Sequence, residues 1–204
     1  LCQKAEHDFV GMKCGIMDQF ISVLGQIDHA LFVDCRSLAY ERIPLQLGDY
    51  RILVCHSGVK HSLVDSAYNW RRQECETGAA ILAAKYPAVK ALRDADLAML
   101  SACQDRMDPV VYKRCRHVIT ENARVLESIK ALKAGDLVAF GQFLNQSHAS
   151  LRDDYDVSCS EVDLLVELAQ GVDGVLGARM TGGGFGGCTV NLIHADSVEA
   201  FSER

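Results

Sequence analysis

Thr181-Gly-Gly-Gly-Phe-Gly-Gly-Cys188 is the most unusual stretch of the sequence, because five of its six central positions are glycine. A glycine in a regular element costs roughly 0.5–1 kcal/mol of backbone entropy, so such a run indicates positive φ angles or close backbone approach. Successive exposed N–H groups can bind an anion. The stretch therefore predicts either a phosphate-binding loop or a tight connection between strands. It is neither a Walker loop nor a dinucleotide fingerprint, because a strand is expected to begin at Thr189.

Two strand patterns flank this stretch, over residues 174–181 and 188–193. Upstream, residues 29–45 predict a hairpin, and the apolar run Arg51–Cys55 predicts a buried strand. Helical spacing of apolar residues marks further segments: residues 1–12, 16–24, 114–133, 136–150 and 159–170. This mixture predicts an α+β fold in which antiparallel strands carry helices on one face.

The same periodicity predicts which side chains are buried. In the helix over residues 114–133, one face is apolar; it carries Val118, Ile119, Val125, Leu126, Ile129 and Leu132. In the helix over residues 16–24, Phe20, Val23 and Leu24 are available for the core. Ser158 and Glu161 form a capping-box pattern at the start of the helix over residues 159–170.

Composition narrows the class of protein. The 204 residues are 49% hydrophobic and 24% charged, which is ordinary for a folded globular protein. The net charge of -6 argues against a general nucleic-acid binder, and no polybasic stretch suggests a lipid anchor. No apolar run reaches 18 residues, so no membrane-spanning helix is expected. The nine scattered cysteines, without a CxxC pair, predict buried or half-buried free thiols in a reducing cytoplasm.

Cys14-Gly-Ile-Met-Asp-Gln-Phe20 places Asp18 near the start of an apolar helix. A carboxylate there either caps the helix or accepts a proton in a cleft. Glu6, twelve residues earlier, is either a solvated surface charge or a second carboxylate of the same site.

The segment from His61 to Arg72 offers Tyr68 as a hydrogen-bonding group and Arg71 and Arg72 as phosphate contacts. On the residues of this segment alone, a helix start with a solvated basic face is the favoured interpretation. The polar segment over residues 148–156 either lines a cleft or ends a helix. Four further histidines lack the spacing of metal ligands and are interpreted as structural; they are His7, His29, His56 and His117.

Four segments together occur in the order and at the spacing seen in galactokinases of the GHMP kinase family: residues 14–20, 61–72, 148–156 and 180–188. The sequence resembles that family along essentially its whole length, and the last segment resembles the family's third conserved motif. The resemblance implies ATP-dependent phosphorylation of the anomeric hydroxyl of α-D-galactose. It implies that Asp18 is the catalytic aspartate, that Gly15 and Tyr68 contact the sugar, and that Glu6 is a Mg²⁺ ligand. It also implies an active-site glycine loop formed by Gly182, Gly183, Gly184, Gly186 and Gly187.

The resemblance also implies a two-domain GHMP architecture. Residues 1–48 would be the end of the nucleotide-binding domain, and residues 49–204 most of a ferredoxin-like C-terminal domain with added helices. The loop that wraps the ATP phosphates and the N-terminal sugar-binding segment are expected before Leu1, and a closing strand after Arg204. The isolated chain is therefore expected to have little activity, and a monomer is favoured. Alternatives are a kinase for N-acetylgalactosamine or arabinose, or a catalytically silent sugar and ATP sensor.

Overall fold

The computed structural model describes residues 2–11, 14–59 and 64–204. It combines helices with antiparallel strands, as the predicted α+β class requires. The α-helices of this part are α1 (Cys2–Ala5), α2 (Met17–Leu24), α3 (Val64–Lys85), α4 (Leu97–Ser101), α5 (Pro109–Ala134), α6 (Leu137–Ser150), α7 (Ser160–Gln170) and α8 (Val198–Ser202). A π-helical turn extends α1 over Glu6–Val10, and another extends α6 over Leu151–Tyr155.

The strands form two antiparallel sheets. In the first, β1 (His29–Val33) pairs with β2 (Tyr40–Pro44), which confirms the predicted hairpin. The second has the order β3-β5-β4 and contains β3 (Tyr50–His56), β4 (Val175–Thr181) and β5 (Cys188–His194). The glycine loop, residues 182–187, joins the two neighbouring strands β4 and β5, whose last and first residues pair.

Strand β3 is not the fully buried strand that the sequence predicted. It lies at the edge of its sheet, where the Ile52 and Val54 side chains are 41% and 64% exposed. The buried central strand is β5, in which Asn191 and Ile193 are fully enclosed. A short apolar run does not distinguish the centre of a sheet from its edge, and only the strand order decides this.

Helix α6 covers the outer edge of β4. The Asn145 Oδ1 atom accepts a hydrogen bond from the Ala178 N–H (2.9 Å), and His148 Nδ1 accepts one from the Met180 N–H (3.3 Å). A methyl group on Gly141 would lie 2.5 Å from the Leu176 carbonyl oxygen, so glycine permits this close approach. The helix thereby satisfies edge donors that would otherwise be free to pair with another strand.

Helix α5 begins five residues before the predicted start. Asp108 accepts a hydrogen bond from the Val110 N–H, and Pro109 occupies the first turn, as is common at helix N-termini. The predicted apolar face was partly wrong: Ile119 and Leu132 are buried, whereas Val125 and Leu126 are exposed. The neighbours α3 and the turn Leu151–Tyr155 instead bury three other side chains of α5: Arg114, Cys115 and His117.

Helix α2 buries none of its residues, although Phe20, Val23 and Leu24 were predicted for the core. The Val23 side chain is 80% exposed, and Phe9 on the preceding turn is exposed as well. The apolar spacing correctly indicated a helix. The described residues leave its apolar side uncovered.

The hairpin β1–β2 is docked against later parts of the chain. Arg36 and Asp94 form a bidentate ion pair (2.8 Å), and Arg93 pairs with Asp34 in the same way (2.7 and 2.9 Å). These arginines hold the pKa values of Asp34 and Asp94 well below their usual range. Ile43 of β2 is buried beside α5. Residues assigned to the first predicted domain thus contact the second, and the boundary at residues 48 and 49 stays a prediction.

The capping box predicted from Ser158 and Glu161 is wrong. Helix α7 begins after Cys159, which makes no side-chain capping bond. The Ser158 hydroxyl donates instead to the Asp163 carboxylate. This partner lies five residues further along the chain, outside the three-residue spacing of the motif.

Two expectations from composition concern the cysteines and membrane-spanning helices. All nine cysteines are free thiols; Cys103 and Cys115 are buried, but Cys2 and Cys35 are exposed, contrary to prediction. None of the helices in residues 2–11, 14–59 and 64–204 is long and apolar enough to cross a bilayer.

Candidate active site

The glycine loop has a backbone that few other residues adopt. Positive φ angles occur at Gly182 (86°), Gly184 (89°), Phe185 (61°), Gly186 (132°) and Gly187 (82°). A Cβ atom on Gly184 would lie 2.4 Å from the Val157 carbonyl oxygen, and one on Gly186 would lie 3.0 Å from Val59 Cγ1. The loop is therefore both a strand connection and a site of close backbone approach, which are two of the uses that the sequence suggested.

Two backbone hydrogen bonds fix the loop. The Phe185 N–H donates to the Val157 carbonyl (2.6 Å), and the Ser57 N–H donates to the Gly187 carbonyl (2.8 Å). Within the described part of the chain, the N–H groups of Gly183 and Gly184 have no protein acceptor. Gly183 is exposed, so its N–H is available to an anionic or hydroxyl-bearing ligand.

Tyr68 on α3 lies between two of the predicted site segments. A Cβ atom at Gly183 would be 3.9 Å from its ring, and the Gly15 backbone lies near its hydroxyl. Burial, and then the neighbouring Cys14 thiol, raise the pKa of Tyr68 above its ordinary value of 10. The phenol therefore keeps its proton near neutral pH and can donate a hydrogen bond. Three predicted site residues, Gly15, Tyr68 and Gly183, are thus brought together.

The segment that carries Gly15 is held by the first helix. The Cys14 carbonyl accepts a hydrogen bond from Gln3 Nε2 (3.2 Å) and lies 2.9 Å from His7 Nε2. His7 therefore has the structural role that the sequence predicted. No local pattern in the sequence indicated a role for Gln3.

Asp18 lies in the first turn of α2, three residues after Gly15. Its side chain is exposed, and its carboxylate has no hydrogen-bond or ion-pair partner among residues 2–11, 14–59 and 64–204. The carboxylate is therefore accessible to a ligand. Glu6 lies in the π-helical turn after α1, and in the same part of the chain no hydrogen bond joins it to Asp18.

The described residues contain no group of three or more His, Cys, Asp or Glu side chains that could hold a metal ion. They do not form an all-protein metal cage. A lone carboxylate such as Glu6 is compatible with Mg²⁺, which is commonly held by one or two carboxylates together with substrate phosphates.

The Arg71 guanidinium is directed at protein groups. Its Nε and Nη2 atoms donate to the Tyr155 and Asp156 carbonyls, each at 2.8 Å. These contacts do not support the predicted phosphate role for Arg71. Arg72 donates to the Glu76 carboxylate at 2.9 Å on the same helix.

The segment over residues 148–156 ends a helix and supports the glycine loop. His148 is buried, and burial lowers its pKa, so its neutral ring accepts the Met180 N–H. Its Nε2 atom lies 3.3 Å from Asp163 Oδ1. Asp154 is buried beside Arg116, and Asp156 ends the π-helical turn in a left-handed conformation. Of the two interpretations that the sequence left open, helix termination describes this segment.

His117 makes the stability of this region sensitive to acid. Its ring stacks on Tyr155 (centroids 4.5 Å apart), and Nδ1 lies 2.9 Å from the Ser150 hydroxyl. Burial lowers the pKa of His117 from 6.5 to about 4. As the pH falls below 6.5 the unfolded chain takes up the proton first, so the stabilisation present at neutral pH is progressively lost down to about pH 4.

We expect the free energy of unfolding to be lower by roughly 3 kcal/mol at pH 4 than at pH 7 through His117 alone. Urea unfolding at both pH values measures this difference. His117→Gln should flatten the acid limb, while His56→Gln, at an exposed histidine, serves as the control. An unchanged acid limb in His117→Gln would contradict the assignment.

Several supporting residues were missed by sequence interpretation. Arg114 donates to the Asp154 carbonyl in the turn before the loop's acceptor, and the Val157 carbonyl accepts the Phe185 N–H of the loop. Val59 packs on Gly186. In the sequence, Arg114 resembles an ordinary solvated helix residue. Its partners, Glu74 and Asp154, each lie forty positions away along the chain. No local pattern in the sequence could have found it.

Residues 128–204 match the family model described as GHMP kinases C terminal. The chain is 49% identical to galactokinase of Homo sapiens, covering 97% of this chain and 49% of that protein. It is 51% identical to galactokinase of Pasteurella multocida, covering 97% of this chain and 51% of that protein. The chain therefore spans about half the length of the curated relatives it matches.

Two solved structures resemble the fold. Lactococcus lactis galactokinase complexed with galactose gives a TM-score of 0.94 at 40% identity, covering 98% of this chain and 52% of that one. L. major mevalonate kinase in complex with R-mevalonate gives 0.51 at 19% identity, covering 86% and 43%, a likeness of fold alone. These matches confirm the α+β fold with a GHMP C-terminal domain.

Proposed function

Residues 128–204 carry a GHMP kinase C-terminal domain and nearly the whole chain is similar to galactokinases, and on this premise we propose that it is part of a galactokinase. The full-length protein would transfer the γ-phosphoryl group of ATP to the anomeric hydroxyl of α-D-galactose. The observation that supports this most directly is the meeting of Gly15, Tyr68 and Gly183, with an accessible Asp18 three residues after Gly15.

The relatives' length supports a role for further residues. The chain spans about half of the galactokinases it matches, and it exposes Phe9, Ile21 and Val23 around α2. We infer that a further part of the protein covers this apolar side and binds the ATP phosphates. The chain alone would then have little activity.

Each site residue has a role in this proposal. Gly15 and Tyr68 contact the sugar, with the protonated Tyr68 hydroxyl as a donor. The loop residues Gly182, Gly183, Gly184, Gly186 and Gly187 would shape the cleft, and the N–H of the exposed Gly183 would be available to the ligand. Asp18 accepts the proton of the anomeric hydroxyl, or orients that hydroxyl. The oxygen of the anomeric hydroxyl attacks the γ-phosphorus of ATP, and ADP leaves.

Phosphoryl transfer depends mainly on positioning and charge neutralisation. Mg²⁺ bound to ATP would neutralise phosphate charge, and Glu6 is the residue here that would supply an oxygen ligand. The nine free thiols favour a reducing compartment such as the cytoplasm, and a monomer is proposed.

Substrate profiling of the full-length protein tests the proposal. We expect ATP-dependent turnover of galactose, with a kcat/KM at least about tenfold higher than for N-acetylgalactosamine or arabinose, because a site that hydrogen-bonds hydroxyls rejects sugars with altered ones. A coupled ADP-release assay measures it, with glucose as a control sugar. A higher kcat/KM for either alternative sugar would identify a different kinase. Binding of galactose and ATP without any ADP release would indicate a sensor.

A further inference from the structure

The turn that supports the glycine loop uses four consecutive carbonyl groups. Arg114 Nη1 donates to the first, at Asp154 (2.7 Å). Arg71 Nε and Nη2 donate to the next two, at 2.8 Å each. The fourth carbonyl, at Val157, accepts the Phe185 N–H of the glycine loop (2.6 Å). Two arginine side chains therefore fix the three carbonyls immediately before the one that binds the loop.

These arginines form a compact, neutralised cluster. The Arg71 side chain is only 13% exposed and the Arg114 side chain only 7%. Asp156 Oδ2 accepts from both (2.7 and 3.0 Å), and so does Glu74 Oε2 (3.3 and 3.0 Å). A buried charge is tolerated when it is paired and hydrogen-bonded, and removing one partner of such a pair is strongly destabilising. The cluster thus holds the turn in one arrangement.

The same helix presents Tyr68 to the site and Arg71 to the turn. The two residues are three positions apart on α3, so they lie on one face. The Arg71 guanidinium also lies 5.9 Å from the centroid of the Phe185 ring. Phe185 packs into the apolar cluster of Leu151, Val157, Val162 and Met180. One helix face therefore contacts both the glycine loop and the turn that holds it.

We propose that Arg71 and Arg114 are positioning residues that hold the Val157 carbonyl where it seats the glycine loop against Tyr68. Both act through the turn over residues 154–157, because their guanidinium groups bind its carbonyls and the turn binds the loop. The effect on turnover rests on the function proposed above. The effect on the loop does not.

Arg71→Lys in the full-length protein tests this. Lysine keeps the charge and the long stem but lacks the planar fork that reaches two carbonyls at once. Hydrogen–deuterium exchange of amides in the glycine loop should be about tenfold faster or more, with β5 unchanged. With galactose and ATP, kcat should fall about 10- to 100-fold while KM for galactose changes less than about threefold.

Arg152→Lys is the matched control, because Arg152 lies just before this turn, in the π-helical turn Leu151–Tyr155, but pairs only with its neighbour Asp153 within the described residues. It should leave loop exchange and kcat unchanged. If Arg71→Lys fails to fold, Arg114→Lys should also speed hydrogen–deuterium exchange of the glycine-loop amides. Asp156→Asn should speed it by a smaller factor.

Normal loop exchange in folded Arg71→Lys or Arg114→Lys would overturn the proposal. So would faster exchange spread evenly over β5 and the loop, because that result indicates general destabilisation. Faster exchange confined to the loop in a protein that does not phosphorylate galactose would support the positioning role and refute only the proposed function.

Discussion

Asp18→Asn is expected to lower kcat of the full-length protein by about 10²- to 10⁴-fold, the usual contribution of a positioned general base. Asparagine keeps the size of the side chain but cannot take up a proton. The side chain makes no hydrogen bond or ion pair within the described residues, so its replacement should leave the fold intact. KM for galactose should change little, because the interaction matters most in the transition state.

The matched control is Asp28→Asn. Asp28 precedes β1 and has a left-handed backbone (φ 57°), a conformation that asparagine also tolerates. It should have wild-type kcat. Initial rates of ADP release, together with unfolding curves of both variants, separate a chemical effect from a stability effect. A kcat for Asp18→Asn within about threefold of wild type would refute the catalytic role, since loss of a general base costs far more.

Gly184→Ala is expected to have the largest effect on the glycine loop. The new methyl group would lie 2.4 Å from the Val157 carbonyl oxygen, on a backbone with φ of 89°. Either the loop moves or the hydrogen bond from Phe185 to Val157 is lost. Overpacking and left-handed strain together should lower the free energy of unfolding by roughly 2–4 kcal/mol. Displacement of the loop by about 1 Å should cost about 100-fold in kcat.

Gly183→Ala provides the comparison within the same loop. Gly183 has an ordinary φ, and the nearest atom to an added methyl group is Tyr68 Cδ2 at 3.9 Å, a normal contact distance. Its free energy of unfolding should stay within about 1 kcal/mol of wild type. Chemical denaturation of the two variants measures the difference. Equal stability of Gly184→Ala and Gly183→Ala would contradict the close approach of Gly184 to Val157.

Local patterns predicted the elements better than their burial. The strands on either side of the glycine loop and the helix α6 begin and end close to the predicted residues. Exposed Val125 on α5 and Val54 on β3 were assigned to the core, because apolar periodicity reports a face and not what covers it. The capping-box prediction was wrong because the Ser158 hydroxyl donates to the Asp163 carboxylate and does not cap the helix.

The sequence by itself determined the α+β class and the glycine loop, because turn residues and periodicity act over a few positions. Only the resemblance to galactokinases singled out Gly15, Asp18 and Tyr68 as site residues. The tertiary structure decided which of them meet. Tyr68 reaches Gly15 and Gly183 across more than fifty positions each way, and Arg114 holds the turn that supports the loop from forty positions away. Such contacts follow from the packing of whole helices against a sheet, which no short stretch of sequence encodes.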